Sequence, residues 1–355
     1  MSQPDFHSNA LQFASQNLQA WKLVTKQTST ITLLTGNSNK VFLLASSLPI
    51  IPNQLIYRVF GPNEITDKSR ERQIFSQLSH HHFGPKNLGD SDTERLEEYF
   101  EGFSPIPNKF FHERKILQKI CKKARKMHHL DMSKAIGGEG IITDLNVNKW
   151  RNLILNKKNL FEAVGEWESV QKAISNESFK NFNEVIPRES EVVYCHLDPS
   201  PLNFLYNAQK DKVIFVDFEF SGYSYRSMDF GLMLSEVQMD FLYESPPYFR
   251  VCEELAPTDS IVKESVLAYG EGKEMWVEVK RSLIAAHFVW SLWSLAAYNG
   301  PTVGYNYLEY GLMRYKMFES ALKEYTENGK IEYLKAVADE LFYNVEPNAY
   351  PMHLN

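Results

Sequence analysis

Between Thr30 and Phe60 apolar and polar positions alternate in short runs. "TITLL" and "KVFLLA" flank the polar "TGNSN", and "PIIPN" leads into "LIYRVFG". Runs of this length, bounded by turn formers, predict strands. The period then changes: "TDKSRERQIFSQLS" opens on a capping residue and carries helical spacing. "GPKNLG" reads as a turn and "RLEEYFEG" as a short extended piece that would pass as an edge strand. From about Asn108 helices dominate. In "FHERKILQKICKKARKMHHL", Ile116, Ile120, Ala124 and Met127 fall near one face. "GGEG" at 137–140 is a loop and not a nucleotide fingerprint, since no strand precedes it. Residues 193–220 interrupt the helical region, and helices resume to the end. No repeat or low-complexity tract is present.

The pattern predicts an α+β chain with a small β-rich N-terminal lobe, a larger mainly helical C-terminal lobe and a cleft between them. Residues 1–20 read as a polar arm outside the main core, with a short helix around Leu11–Leu18. The β-rich lobe is expected over 21–103 and the helical lobe over 104–355. The chain's 355 residues suffice for one large or two ordinary domains.

Composition narrows the function. A 43% hydrophobic and 23% charged chain is ordinary for a globular protein. With a net charge of −6, no basic tail and no Arg/Lys-rich block in this reading, nucleic acid is not the expected partner. A mildly acidic surface suits a cationic small molecule. Cys121, Cys195 and Cys252 cannot all pair, which points to a reducing compartment. "MSQPDFHSNALQFASQ" lacks the features of a signal peptide, and "SLIAAHFVWSLWSLAAY" is too short and polar to span a bilayer. A cytoplasmic protein without a transmembrane segment is expected.

The densest chemistry lies in "VYCHLDPSPLNFLYNAQKDKVIFVDFEF", residues 193–220. Two apolar runs, 204–206 and 213–216, flank the turn "NAQKDK" and predict a hairpin centred near Lys210. Asn203 and Asp217, each seven residues from that centre, would then lie opposite one another at the open end. Asp198 sits in a Pro-interrupted loop able to curl over the same end. Each of the three could serve as a turn cap. Together they gather hard oxygen donors of the kind that suit Mg²⁺, which takes one or two protein groups plus substrate phosphates.

"HLDPSPLN" fits the H-x-D-x-x-x-x-N motif of protein-kinase-like small-molecule phosphotransferases, and "VDFEF" fits their metal-binding strand end. "FEFSGYSYRSMDFG" resembles the segment that follows this Asp in choline and ethanolamine kinases. The resemblance runs from about residue 20 to 345. It implies a protein-kinase-like two-lobed fold, with Asp198 as the base on the substrate hydroxyl and Asn203 and Asp217 as Mg²⁺ ligands. His196 would support the loop through hydrogen bonds. The resemblance also suggests a homodimer.

In the N-terminal lobe, the turn Gly36, Asn37, Ser38 and Asn39 could approach phosphate oxygens of ATP, though most such turns are plain hairpin loops. Arg58 shares a strand face with Ile56 and Phe60, an expensive place for an unpaired charge. Glu71, near the helix face of Ile74, Phe75 and Leu78, is its expected partner. In the family such a pair replaces the protein-kinase Lys–Glu pair. "RLEEYFEG" resembles the family's interlobe hinge, which would hold adenine near Glu98, Tyr99 and Phe100.

For the acceptor, Trp290 and Trp293 are three apart on one helical face, a spacing that more often serves core packing. Phe241, Tyr248 and Tyr310 add aromatic faces. A quaternary ammonium donates no N–H hydrogen bond, so proteins grip it with such faces at about 0.5–2 kcal/mol each. The resemblance to choline kinases implies an ammonium pocket of Trp290, Trp293, Tyr310, Phe241 and Tyr248, with Glu236 as an acidic neighbour. Choline is the expected substrate, ethanolamine or another amino alcohol the alternative, and a catalytically dead kinase-like binding protein the rival from another class. Three positions depart from the family: Leu197 stands where Asn is common, Ser200 where Gln often stands, and Leu232 where Asn is usual.

Overall fold

The computed structural model describes residues 5–35, 39–61, 64–301 and 304–343. The chain divides into two compact units, Met1–Phe103 with Lys134–Ile136, and Ser104–Ser133 with Gly137–Asn355.

The N-terminal unit begins with helix α1 (Phe6–Asn17), capped by Asp5, whose side chain accepts the Ser8 N–H. Strands β1 (Ser29–Thr35), β2 (Asn39–Ser46), β3 (Gln54–Phe60), β4 (Asn87–Asp90) and β5 (Glu94–Glu98) form an antiparallel sheet in the order β1-β2-β3-β5-β4, with helix α2 (Lys68–His80) between β3 and β4 in the chain. The stretch read as an edge strand is therefore internal, which a charged sequence such as "ERLEE" tolerates only if its charges pair. The period of two sends Phe42, Leu44, Leu55, Tyr57 and Leu96 into one apolar cluster. Ala10, Phe13, Ala14 and Trp21 fill the same cluster, so residues 5–20 are not the arm outside the core expected from their polarity. Partly buried Phe6 and Leu11 of α1 pack against the same cluster, with the Phe6 ring centroid 5.0 Å from that of Phe42.

In the C-terminal unit, β6 (Ser104–Pro105) leads into helices α3 (Asn108–Phe111) and α4 (Arg114–His128). Strand β7 (Val192–Cys195) pairs with β10 (Gly222–Tyr225), and between them in the chain β8 (Phe204–Asn207) and β9 (Lys212–Phe215) form a hairpin with β6 at its side. The helix Lys273–Ala297 forms the centre of this unit, with 18 buried residues packed mainly against the helices Arg226–Glu236 and Tyr307–Glu327. The first of these crossings is very close at Gly231, where a Cβ would lie 2.5 Å from the carbonyl group of Ser282. Among the described residues no helix is long and apolar enough to cross a membrane.

Candidate active site

Strand β7 delivers the chain to His196, Leu197 and Asp198, and the backbone there is held from beneath. Asp229, in the first turn of the helix Arg226–Glu236, accepts the His196 N–H at 2.8 Å and the Leu197 N–H at 2.7 Å. Leu197 has φ 62°, a left-handed conformation that costs a non-glycine residue about 1–3 kcal/mol. An Asn at this position would adopt it more readily. Asp229 in turn accepts from His128 Nε2 at 3.0 Å, while His128 Nδ1 lies 2.9 Å from the Tyr269 hydroxyl. Burial alone would push the Asp229 carboxyl up, but His128 and the two amides hold it below the usual carboxylate range.

His196 has the supporting role expected of it. Its Nε2 meets the Val216 carbonyl at 3.0 Å and its Nδ1 lies 3.3 Å from the Asp198 N–H. With Nδ1 accepting that N–H and Nε2 facing a carbonyl, the ring carries its proton on Nε2, in keeping with burial, which lowers its pKa. Asn203 then closes the loop, its Nδ2 donating to the Asp198 carbonyl at 2.9 Å and to Asp198 Oδ2 at 2.8 Å.

The hairpin joins β8 to β9 in a register one residue away from the expected one. Phe204 pairs with Phe215, and the Val216 N–H donates to the Asn203 carbonyl, so Asn203 lies opposite Val216 and not Asp217. The turn is the reason: the Asn207 side chain accepts the Lys210 N–H and Asp211 adopts φ 48°, which moves the centre off Lys210. Asp217 follows the ladder with φ 63°, turning the chain where a straight strand would have continued. Asp217 still acts on Asp198. Burial, then Asp217, Glu236 and Glu219, push the Asp198 carboxyl well above its ordinary value. Asp217 with Asn203 has the oxygen chemistry Mg²⁺ takes.

Aromatic rings cluster around Glu236, the last residue of the helix that starts with Arg226. Tyr310 is buried, its hydroxyl donating to Glu236 Oε1 at 3.2 Å. Its ring lies 5.8 Å from Phe241, 5.2 Å from Phe249, 5.6 Å from Tyr305 and 6.4 Å from Trp293. Trp290 joins through Trp293 at 5.5 Å, edge to face. Five expected residues are thus brought together. The sixth, Tyr248, is half-buried, and its neighbour Phe249 supplies the ring that packs on Tyr310. Glu236 is also less free than an acidic neighbour would be, because fully buried Arg314 ion-pairs with it. Burial raises the Glu236 carboxyl despite Arg314 and Tyr310.

The family model for choline/ethanolamine kinase matches residues 30–319. The chain belongs to the choline/ethanolamine kinase family. It is 26% identical over 281 residues to choline kinase alpha of Mus musculus, a match spanning 70% of this chain and 59% of that protein. With choline/ethanolamine kinase of Homo sapiens it shares 25% over 335 residues, covering 84% and 82% of the two chains. The crystal structure of choline kinase from Cryptosporidium parvum superposes with a TM-score of 0.74 at 19% identity, over 93% of this chain and 98% of the other. The fold is the protein-kinase-like one, with its sheet-rich N-terminal and helical C-terminal parts.

In the N-terminal unit Arg58 belongs to a buried network with Arg95, Glu97 and Glu71. Arg58 lies directly opposite Arg95 in the sheet, a repulsive placement unless acids intervene. Glu97 Oε1 accepts from Arg58 Nε at 2.8 Å and from Arg95 at 2.9–3.0 Å. Glu71 bonds Arg95 at 2.8 Å and does not bond Arg58, which corrects the expected partnership. The sequence reading missed Arg95 and Glu97, although their spacing of two in "ERLEE" puts both on one face. Arg58 and Arg95 hold the Glu97 carboxyl below its usual range against the effect of burial. Gly36, Asn37 and Ser38 lie outside the described residues. Asn39 opens β2, its Oδ1 accepting the Gly61 N–H at 3.3 Å. Glu98 ends β5 and accepts the Lys86 N–H, and half-buried Tyr99 and Phe100 follow it.

Proposed function

We propose that this protein transfers the γ-phosphoryl group of ATP to the hydroxyl of choline, giving phosphocholine and ADP. Asp198 receives the hydroxyl proton as the oxygen–phosphorus bond forms and the bond to the ADP oxygen breaks. Asn203 and Asp217 would hold Mg²⁺, which supplies neutralising charge on the phosphates. Toward ATP, the N-terminal unit offers Arg58, with Glu71 fixing it at one remove through Arg95 and Glu97, the residues Gly36, Asn37, Ser38 and Asn39, and Glu98, Tyr99 and Phe100 for the base.

One observation carries the acceptor reading. The aromatic cluster and the base share Glu236, which bonds Tyr310 and raises the Asp198 carboxyl. An ammonium held against Phe241, Phe249, Tyr305, Tyr310 and Trp293 would leave a hydroxyl two carbons away to meet Asp198. Ethanolamine is favoured by the same carboxylates, since a primary ammonium needs hydrogen-bond acceptors. Against it, Arg314 already neutralises Glu236.

ADP release measured with choline, dimethylethanolamine, monomethylethanolamine and ethanolamine decides between them. kcat/KM is expected to fall along that series, and a rise toward ethanolamine would overturn the assignment to choline. Trp293→Ala is expected to raise the choline KM about tenfold, one aromatic face being worth on the order of 1.4 kcal/mol. The ATP KM should stay unchanged, and equal rises in both would make Trp293 a packing residue. Intact Asp198, Asn203 and Asp217 favour an enzyme over a dead binding protein, and no thermal shift with Mg·ATP would reverse that. The buried free cysteines accord with a cytoplasmic protein.

A further inference from the structure

The acidic balance of the whole chain hides one strongly basic surface. Helix α4 carries seven Lys and Arg between Arg114 and His128 and no acid. Its apolar residues Ile116, Leu117, Ile120, Cys121, Ala124 and Met127 are buried, so every cation falls on the remaining faces. Arg125 and Lys126 suit the C-terminal end of a helix dipole, but Arg114 and Lys115 stand in the first turn, where the dipole opposes them. Lys115, Lys119, Lys122 and Lys126 recur at i, i+4, i+7 and i+11, a single row about 16 Å long at 1.5 Å per residue. Like charges four apart also weaken a helix.

Asp211 pairs with both Lys115, at 3.1 Å, and Lys119, at 2.8 Å, so two cations of the row share one acid. Exposed Lys212 from β9 adds to the field. Burial first, and then the neighbouring Lys212 and Lys126, push the Lys123 ammonium down to about 8. Near the start of the helix, Phe110 is 41% exposed with the Lys109 ammonium 4.9 Å from its ring centroid.

We infer that the lysine row of α4, with Phe110 at its end, is a docking surface for an anionic phospholipid bilayer. The row consists of lysines, which act as mobile point charges, while the two arginines able to grip a phosphate in bidentate fashion are turned to Glu264 and to the Tyr269 carbonyl. Residues 114–126 of the helix include no aromatic side chain on which successive bases could stack, as single-stranded nucleic acid requires. A straight row of flexible cations fits a laterally disordered sheet of anionic headgroups, and an exposed aromatic beside it fits the interfacial layer. This inference is independent of which amino alcohol the enzyme phosphorylates.

Co-sedimentation of the full chain with vesicles tests it. Binding is expected to vesicles of phosphatidylcholine with about 30% phosphatidylserine and not to phosphatidylcholine alone, and to be lost at high salt. K115E/K122E/K126E should bind at least tenfold more weakly, with ADP release in solution unchanged as proof of folding. The milder K115Q/K122Q/K126Q serves if the reversed variant fails to fold. Binding unchanged in these variants, no binding to anionic vesicles at low salt, or tighter binding to single-stranded RNA of equal charge would each overturn the inference.

Discussion

Asp198→Asn is expected to lower kcat about a thousandfold, the scale of a lost general base, while the protein stays folded. The substituted amide keeps the size of the carboxyl and can still pair with Asn203, so the loop has no reason to move. Stability should hold or rise, and the sign follows from the raised carboxyl. Burial, Asp217, Glu236 and Glu219 make the folded state bind the Asp198 proton more tightly than the unfolded state does. The folded protein therefore loses stability as pH rises from the ordinary carboxylate range through that raised value, and regains it on acidification. The Asn variant lacks this slope. Turnover in the parent runs the other way, falling as the base is protonated. Thermal melts across pH and single-turnover kinetics separate the two. A variant with near-parent turnover would remove Asp198 from the mechanism, and a melting temperature that drops together with kcat would make its role structural.

Much of this site can be read from the residues alone, because its chemistry is concentrated in one segment with a recognisable spacing. What the sequence does not carry is anything decided by side chains reaching across the fold. The hairpin was legible, but its register depended on Asn207 capping Lys210 and on the left-handed Asp211, and one residue of slip moves Asp217 out of the ladder. A buried cation was legible at Arg58. Which acid it meets was not, since Glu71 and Glu97 are equally acidic and only the pairing of β3 with β5 puts Arg95 between the two sides. The aromatic cluster was legible in part. Tyr305 and Tyr307 stand a few residues before Tyr310 in "GYNYLEYGLMRY", and only the fold brings Tyr305 to 5.6 Å from Tyr310 and Tyr307 to 5.8 Å from Trp293. Nothing in the sequence around Arg314 marks it as the buried partner of Glu236. Helix α1 was misjudged because a helix needs only a narrow apolar stripe to dock, and Ala10 and Ala14 contribute little to any hydrophobic count.

Asp229→Asn is expected to cost about 3–5 kcal/mol of stability, the scale of removing one partner from a buried charged pair, and to reduce turnover with it. One carboxylate accepts from His196, Leu197 and His128 at once. An amide has a single oxygen, so its NH₂ must face at least one of those donors, and a buried donor left unpaired is expensive. The loss falls on Leu197, whose left-handed backbone persists because those bonds over-determine it. Relaxation there would shift Asp198, the next residue, relative to Asn203. The pH dependence distinguishes this effect from that at Asp198. His128 and the amides hold the Asp229 carboxyl below its usual range, so the stability it contributes is fully present above the ordinary carboxylate pKa and is lost as pH falls through the lowered one. Acid unfolding of the parent should steepen in that window and that of the Asn variant should not. Two carboxylates, Asp198 on the loop and Asp229 beneath it, thus respond to acid in opposite senses, Asp229 because donors surround it and Asp198 because burial and neighbouring carboxylates do. A variant as stable as the parent, with turnover intact, would mean that the loop holds its strained shape without Asp229.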